Sequence, residues 1–134
     1  MKYFTIRELT RSATATAEKI DNTPSQAVVD KLTALVENVL DPLREAWGAP
    51  IIVTSGYRSP ALNRAVKGAP TSQHVLGEAA DIHTVSDTKE DNKKLYELIK
   101  KLKLPVDQCI NEYDYNWIHV SYGPRHRRMF FAIK

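Results

Sequence analysis

The chain has 134 residues, a net charge of +3, 26% charged and 43% hydrophobic residues, and a single cysteine, Cys109. This is the composition of one globular domain over residues 1–134, too short for two cores and too apolar for a disordered chain. One thiol excludes an internally disulfide-stapled scaffold and paired-cysteine zinc motifs, so any metal site must be built from His, Asp and Glu. The N-terminus, Met1–Leu9, interrupts its apolar residues with charges before a signal-peptide core can form, and no stretch approaches the ~20 apolar residues of a membrane helix. Synthesis in the cytoplasm without a signal peptide is therefore expected, with no membrane association. The mild basic balance (pI about 9.0) permits an anionic partner without arguing for one.

In chain order, the first clear element follows Asp21. Thr23 is predicted as an N-cap, with Pro24 as the first helical residue and Gln26 completing a capping box. Val28, Leu32, Leu35, Val36, Val39, Leu40 and Leu43 then recur at helical spacing over about five turns. Pro42 should strain or kink the last turn, and Gly48 with Pro50 should end it. Ile51–Thr54 reads as a buried strand closed by Ser55 and Gly56. Residues 57–78, punctuated by Pro60, Gly68, Pro70 and Gly77, read as mostly loop with one helical turn near Ala61–Val66. Ala79–His83 is a second strand, and Lys89–Leu102 a second helix that buries Leu95, Leu98, Ile99 and Leu102. Gln108–Asn111 and Trp117–Tyr122 form a predicted hairpin, and Met129–Ile133 a final edge strand. The order suggests an α+β fold, a small, mainly antiparallel sheet with flanking helices.

Four histidines occur, His74, His83, His119 and His126. His74 stands in a glycine-flanked loop just before a strand. Asp81 interrupts the apolar strand Ala79-Ala80-Asp81-Ile82, where a carboxylate is costly unless paired or metal-bound. His119 stands between Ile118 and Val120, sharing a strand face with Trp117 and Ser121. Two imidazoles and one carboxylate, with a fourth position open to water, suit a catalytic zinc site better than a closed structural one.

Three blocks in order carry a resemblance: Ser55-Gly56-Tyr57-Arg58-Ser59-Pro60-Ala61-Leu62-Asn63, then Ser72-Gln73-His74-Val75-Leu76-Gly77-Glu78-Ala79-Ala80-Asp81-Ile82, then Trp117-Ile118-His119-Val120-Ser121. They resemble the zinc D-alanyl-D-alanine carboxypeptidase family. That family includes phage and bacterial L-alanyl-D-glutamate endopeptidases that cut peptidoglycan stem peptides. Phe4–Leu9 and Asp21–Pro24 are similar to phage-type members, so the likeness covers nearly the whole chain. The resemblance implies the fold shared with hedgehog signalling domains and one Zn2+ ion held by His74, Asp81 and His119. It also implies that Arg58 grips a substrate carboxylate or the carbonyl under attack, and that Ser72 bonds substrate or orients its loop.

The mechanism so implied is metal-assisted amide hydrolysis, in which a carboxylate passes a proton from water to the leaving amine. Many family members place that Asp or Glu three residues before the last histidine ligand. Here the position is Asn116, which cannot act as a base. Glu112 and Asp114 are the candidates, Glu112 preferred, and Asn116 keeps open the alternative of a zinc-binding module without catalysis. His83 is expected outside the ligand set. His126, within Pro124–Arg128, is expected in a solvated basic turn, with docking to anionic wall polymer as the alternative. Trp117 reads first as a core anchor and second as a wall of the substrate cleft, and Cys109 as a buried small hydrophobe. The expected partner is a peptidoglycan stem peptide, with no nucleic acid, and the expected state a monomer. A protein made inside the cell with its substrate outside suits a phage or prophage lysin released through a holin.

Overall fold

The computed structural model describes residues 1–134. Two short helices precede the long one, in a stretch to which the sequence reading assigned no element. In α1 (Ile6–Thr10), Thr5 and Glu8 form a reciprocal capping box, and α2 (Ala13–Glu18) starts on the Ser12 hydroxyl. Helices of one to two turns are too short to display a period, so their caps were the only local signal.

The long helix starts two residues later than expected. Ser25 is the cap of α3 (Gln26–Leu35), its hydroxyl accepting from the Val28 N–H at 3.3 Å. The Thr23 N–H is instead bonded to Asp21 Oδ1 at 2.9 Å, so the residue read as the cap belongs to a turn, and Pro24 precedes the helix. α3 runs on through a π-helical turn, Val36–Leu40, in which the Asp41 N–H reaches back to the Val36 carbonyl. It then continues as α4 (Asp41–Trp47), and Gly48 ends it in the left-handed region at φ 77°. The expected strain at Pro42 takes the form of this widened turn. In a regular α-helix the proline ring would meet the carbonyl four residues back, and a one-residue expansion just ahead of it is the usual relief. The apolar face survives intact, with Leu32, Leu35, Val36, Val39, Leu40 and Leu43 wholly buried.

The remaining elements are β1 (Ile51–Ser55), α5 (Pro60–Ala65), α6 (Gln73–Leu76), β2 (Ala79–Thr84), α7 (Lys89–Lys101), β3 (Gln108–Glu112), β4 (Trp117–Ser121) and β5 (Met129–Ile133). α6 replaces predicted loop. It is a single turn held between the Ser72 cap and Gly77 at φ 77°. The five strands form one sheet in the order β1-β2-β4-β3-β5, antiparallel throughout except for β5, which lies parallel to β3 at the edge. The fold is thus α+β with a small, mainly antiparallel sheet. No helix is long and apolar enough to cross a membrane.

Strand alternation sorts the sheet into two faces. Ala80, Ile82, Cys109, Ile118 and Val120 join α3, α4 and α7 side chains in the main core. The other face carries Asp81 from β2, Ile110 and Glu112 from β3, and Trp117 and His119 from β4. That second face is where the polar residues lie.

Candidate metal centre

Asp81 and His119 stand directly opposite one another on neighbouring antiparallel strands, so both side chains leave the sheet on the same face. α6 lies against β2 and brings His74 over the pair. Asp81 Oδ1 is 3.3 Å from His74 Nε2 and 3.2 Å from His119 Nδ1. The two rings meet edge-on with centroids 5.1 Å apart. One ligand atom from each of the three residues lies within 4.8 Å of the others.

Both histidines are tied from behind. His74 Nδ1 is 2.7 Å from the Gly56 carbonyl. A carbonyl only accepts, so Nδ1 carries a proton and Nε2 is the nitrogen turned to the centre. Gly56 reaches this position because it has no side chain: a Cβ there would stand 2.1 Å from the Leu9 carbonyl oxygen. That same Leu9 oxygen accepts from the Tyr57 N–H at 2.7 Å. His119 Nε2 lies 3.3 Å from Gln73 Oε1, which leaves Nδ1 facing Asp81. Burial pushes the Asp81 carboxyl up, but the two imidazoles against it outweigh this and hold it well below the usual carboxylate range. Two inward-facing ring nitrogens and one carboxylate oxygen converging on a point fit a divalent ion, and the N/O set suits zinc.

A cleft opens over these residues, lined also by Arg58, Ser72, Glu112 and Trp117. Arg58 Nη2 lies 3.3 Å from Ser72 Oγ, and its Nε is buried with no hydrogen-bond partner. Burial pulls the guanidinium pKa down, against the opposing charges of Asp81 and Glu112. Ser72 also caps α6, its Oγ accepting from the His74 N–H, so one hydroxyl serves both the helix and the arginine.

The two candidate carboxylates separate. Glu112 pairs with Trp117 across the hairpin, two residues before His119 on the same face, and its Oε2 accepts from Trp117 Nε1 at 2.8 Å. Asp114 sits in the hairpin loop, 71% exposed, bonded to Lys89 Nζ at 2.7 Å, and is not part of the cleft lining. The loop explains the split. Tyr113, Asp114 and Tyr115 all have positive φ, at 53°, 58° and 64°, and the Tyr115 carbonyl is pinned by Asn92 Nδ2 at 2.9 Å. Asn116 belongs to the same turn, its N–H on the Glu112 carbonyl. Trp117 meets the Tyr113 ring at a tilt, with centroids 5.1 Å apart, and is half-buried in the cleft wall, outside the apolar core in which it was first expected.

His83 bonds the Thr84 carbonyl at 2.6 Å and stands 3.5 Å from Asp87, away from the centre. His126 lies against Tyr122, centroids 4.9 Å apart. Cys109 is fully buried, and burial pushes its thiol far up. The basic turn is not simply solvated. Arg127 grips Asp107, whose side chain is 1% exposed, with Nε to Oδ1 at 2.8 Å and Nη2 to Oδ2 at 3.0 Å. Arg128 Nε donates to the Leu104 carbonyl, with its guanidinium over the Phe130 ring. A buried carboxylate upstream in sequence decides this, and charge counting along the turn cannot see it.

The Arg127 hydrogen bonds hold the Asp107 carboxyl well below the usual range. A depressed folded-state pKa contributes stability above the unfolded value, about 3.9, and that contribution fades as pH falls below it. Asp107→Asn should therefore lower the melting temperature at pH 7 and narrow its gap to wild type between pH 4 and pH 2. A gap that stays constant over that range would assign the loss to packing alone.

Two contributors went unread in the sequence, Gly56 and Gln73. Gly56 acts through its backbone carbonyl, which leaves no residue-type signal. Gln73 precedes a proposed ligand within the second motif block, a place where its amide invited attention. The family model described as Peptidase M15 matches residues 2–121. No curated protein matches the chain. Because that match runs unbroken from the first capping box through the last strand of the His-Asp-His cluster, the chain belongs to the peptidase M15 family and is a peptidase by descent.

Proposed function

We propose that the protein is a zinc-dependent hydrolase of an amide bond in peptidoglycan stem peptides, of the D-Ala-D-Ala carboxypeptidase or L-Ala-D-Glu endopeptidase type. The observation that carries this reading is the convergence of His74, Asp81 and His119, with their outer ring nitrogens engaged, at the floor of a cleft. In this reading the three residues hold one Zn2+ ion. Bound there, the ion supplies Lewis acidity toward a scissile carbonyl and acidifies water. Glu112, in the cleft lining with its Oε2 steadied by Trp117, accepts the proton of the attacking water and returns it to the leaving amine. Arg58, with an unpartnered buried nitrogen, takes a substrate carboxylate or the oxyanion, for which a planar, permanently charged fork is suited. Ser72 positions that fork, and Trp117 provides an apolar wall.

The test is digestion of purified peptidoglycan by the zinc-loaded protein, with new termini read by mass spectrometry. Release of terminal D-alanine identifies a carboxypeptidase, and new D-glutamate amino termini identify an endopeptidase. Stoichiometric zinc with no product, while a control lysin cuts the same wall, would leave a zinc-binding module without catalysis.

A further inference from the structure

The polarity of the contacts behind His119 runs in one direction only. Asp107 has two acceptor oxygens and no proton to give. Its Oδ1 takes the Arg127 backbone N–H at 3.2 Å and Arg127 Nε at 2.8 Å. Its Oδ2 takes Arg127 Nη2 at 3.0 Å, Arg125 Nη2 at 3.4 Å and Gln73 Nε2 at 2.8 Å. Gln73 must therefore present its NH2 to Asp107, which turns Oε1 toward the centre. That oxygen in turn only accepts, so His119 Nε2, 3.3 Å away, must be the protonated nitrogen. Nδ1 is then the nitrogen left for a metal, and it faces Asp81.

The carboxylate that starts this chain is itself locked. The Asp107 N–H donates to the Ser121 carbonyl at 2.8 Å and its carbonyl accepts from the Met129 N–H at 3.0 Å. β4 and the start of β5 thus both fix it. A buried carboxylate normally needs compensation, and Arg127 supplies it in a two-pronged grip.

We infer that Gln73, Asp107 and Arg127 are positioning residues that set the tautomer and ring orientation of His119, so that an arginine outside the cleft lining tunes metal affinity. This rests on the reading of His119 as a zinc ligand. A ligand histidine whose second nitrogen is held by an oriented acceptor binds its metal more tightly, and loss of such a partner typically costs about 10–100-fold in affinity.

The experiment measures the zinc Kd of the full chain by competition with a chromophoric chelator, alongside thermal melting of the metal-free proteins. Gln73→Leu should weaken zinc binding by about 10–100-fold. Arg127→Ala should weaken it in the same direction, and the double variant should be no weaker than Gln73→Leu alone, because both act through one chain. Arg127→Lys, which keeps the charge but not the fork, should fall between wild type and Arg127→Ala. It carries the comparison if Arg127→Ala does not fold. Single variants that melt lower but bind zinc like wild type would overturn the inference and leave a purely structural clasp. So would effects that add in the double variant. A wild-type chain that binds no zinc would instead remove the ligand reading, and this inference with it.

Discussion

Asp81→Ala is expected to bind no stoichiometric zinc and to lose peptidoglycan hydrolysis completely. Asp81 is the one carboxylate of the cluster, and its Oδ1 lies between both histidines, 3.3 Å from one and 3.2 Å from the other. Without it two neutral imidazoles remain, short of the three protein ligands that catalytic zinc sites use. The fold should tolerate the change. The substitution removes a largely buried carboxylate whose partners in the metal-free state are those same two rings, and it leaves the β2–β4 backbone pairing intact. Zinc content by metal analysis, and melting of both proteins in chelator, check the two halves separately. Zinc retained at one equivalent by Asp81→Ala would move the metal site elsewhere.

Glu112→Gln should lower kcat by about 10²–10⁴-fold, the usual contribution of a positioned acid–base group, with zinc stoichiometry unchanged. The amide keeps the acceptor for Trp117 Nε1, so the cleft wall stays in place. What disappears is the capacity to take a proton. Asp114→Asn is the matched control: Asp114 is bonded to Lys89 at the surface, and its loss should leave kcat within about twofold, exposed ion pairs being weak. The reverse pattern, activity lost with Asp114 and kept with Glu112→Gln, would transfer the proton to the hairpin loop.

The departure at Asn116 gains a physical meaning from this geometry. A carboxylate three residues before a strand histidine is delivered from the same strand. Here the loop takes that position, and Glu112 arrives from the neighbouring strand, directly across from Trp117. Residue spacing along one strand cannot reveal a partner on the next, since cross-strand register depends on loop length and conformation. The run of left-handed residues at 113–115 is not encoded by any glycine, so its course was hidden from turn chemistry.

Local signals served well where a period or a cap was long enough to speak. α7 begins on Thr88 and ends within a residue of its expected limit, because acidic residues at one end, basic ones at the other and an apolar stripe agree. Of that stripe Leu95 and Ile99 are fully buried and Leu98 partly, while Leu102, expected inside, is exposed at the helix end. The N-cap of α3 was misplaced by two residues, because Asp21, Thr23 and Ser25 all offer a capping side chain and only the packed turn chooses among them. The turn carrying Gln73 and His74 looked like loop, since four residues give no period.

By itself the sequence determined the α+β class, the buried faces and the three polar residues set into apolar strand-like context, because burial cost and alternation act on neighbours in the chain. Only the tertiary structure decided which nitrogen of each histidine faces inward, which carboxylate shares the cleft, and that the basic turn closes on Asp107. The histidine contacts span 18 and 46 positions and the Arg127–Asp107 grip 20, and they are made through carbonyls, amides and register. The sequence carried the chemistry of the site, and the packing of α6, β2, β3 and β4 carried its orientation.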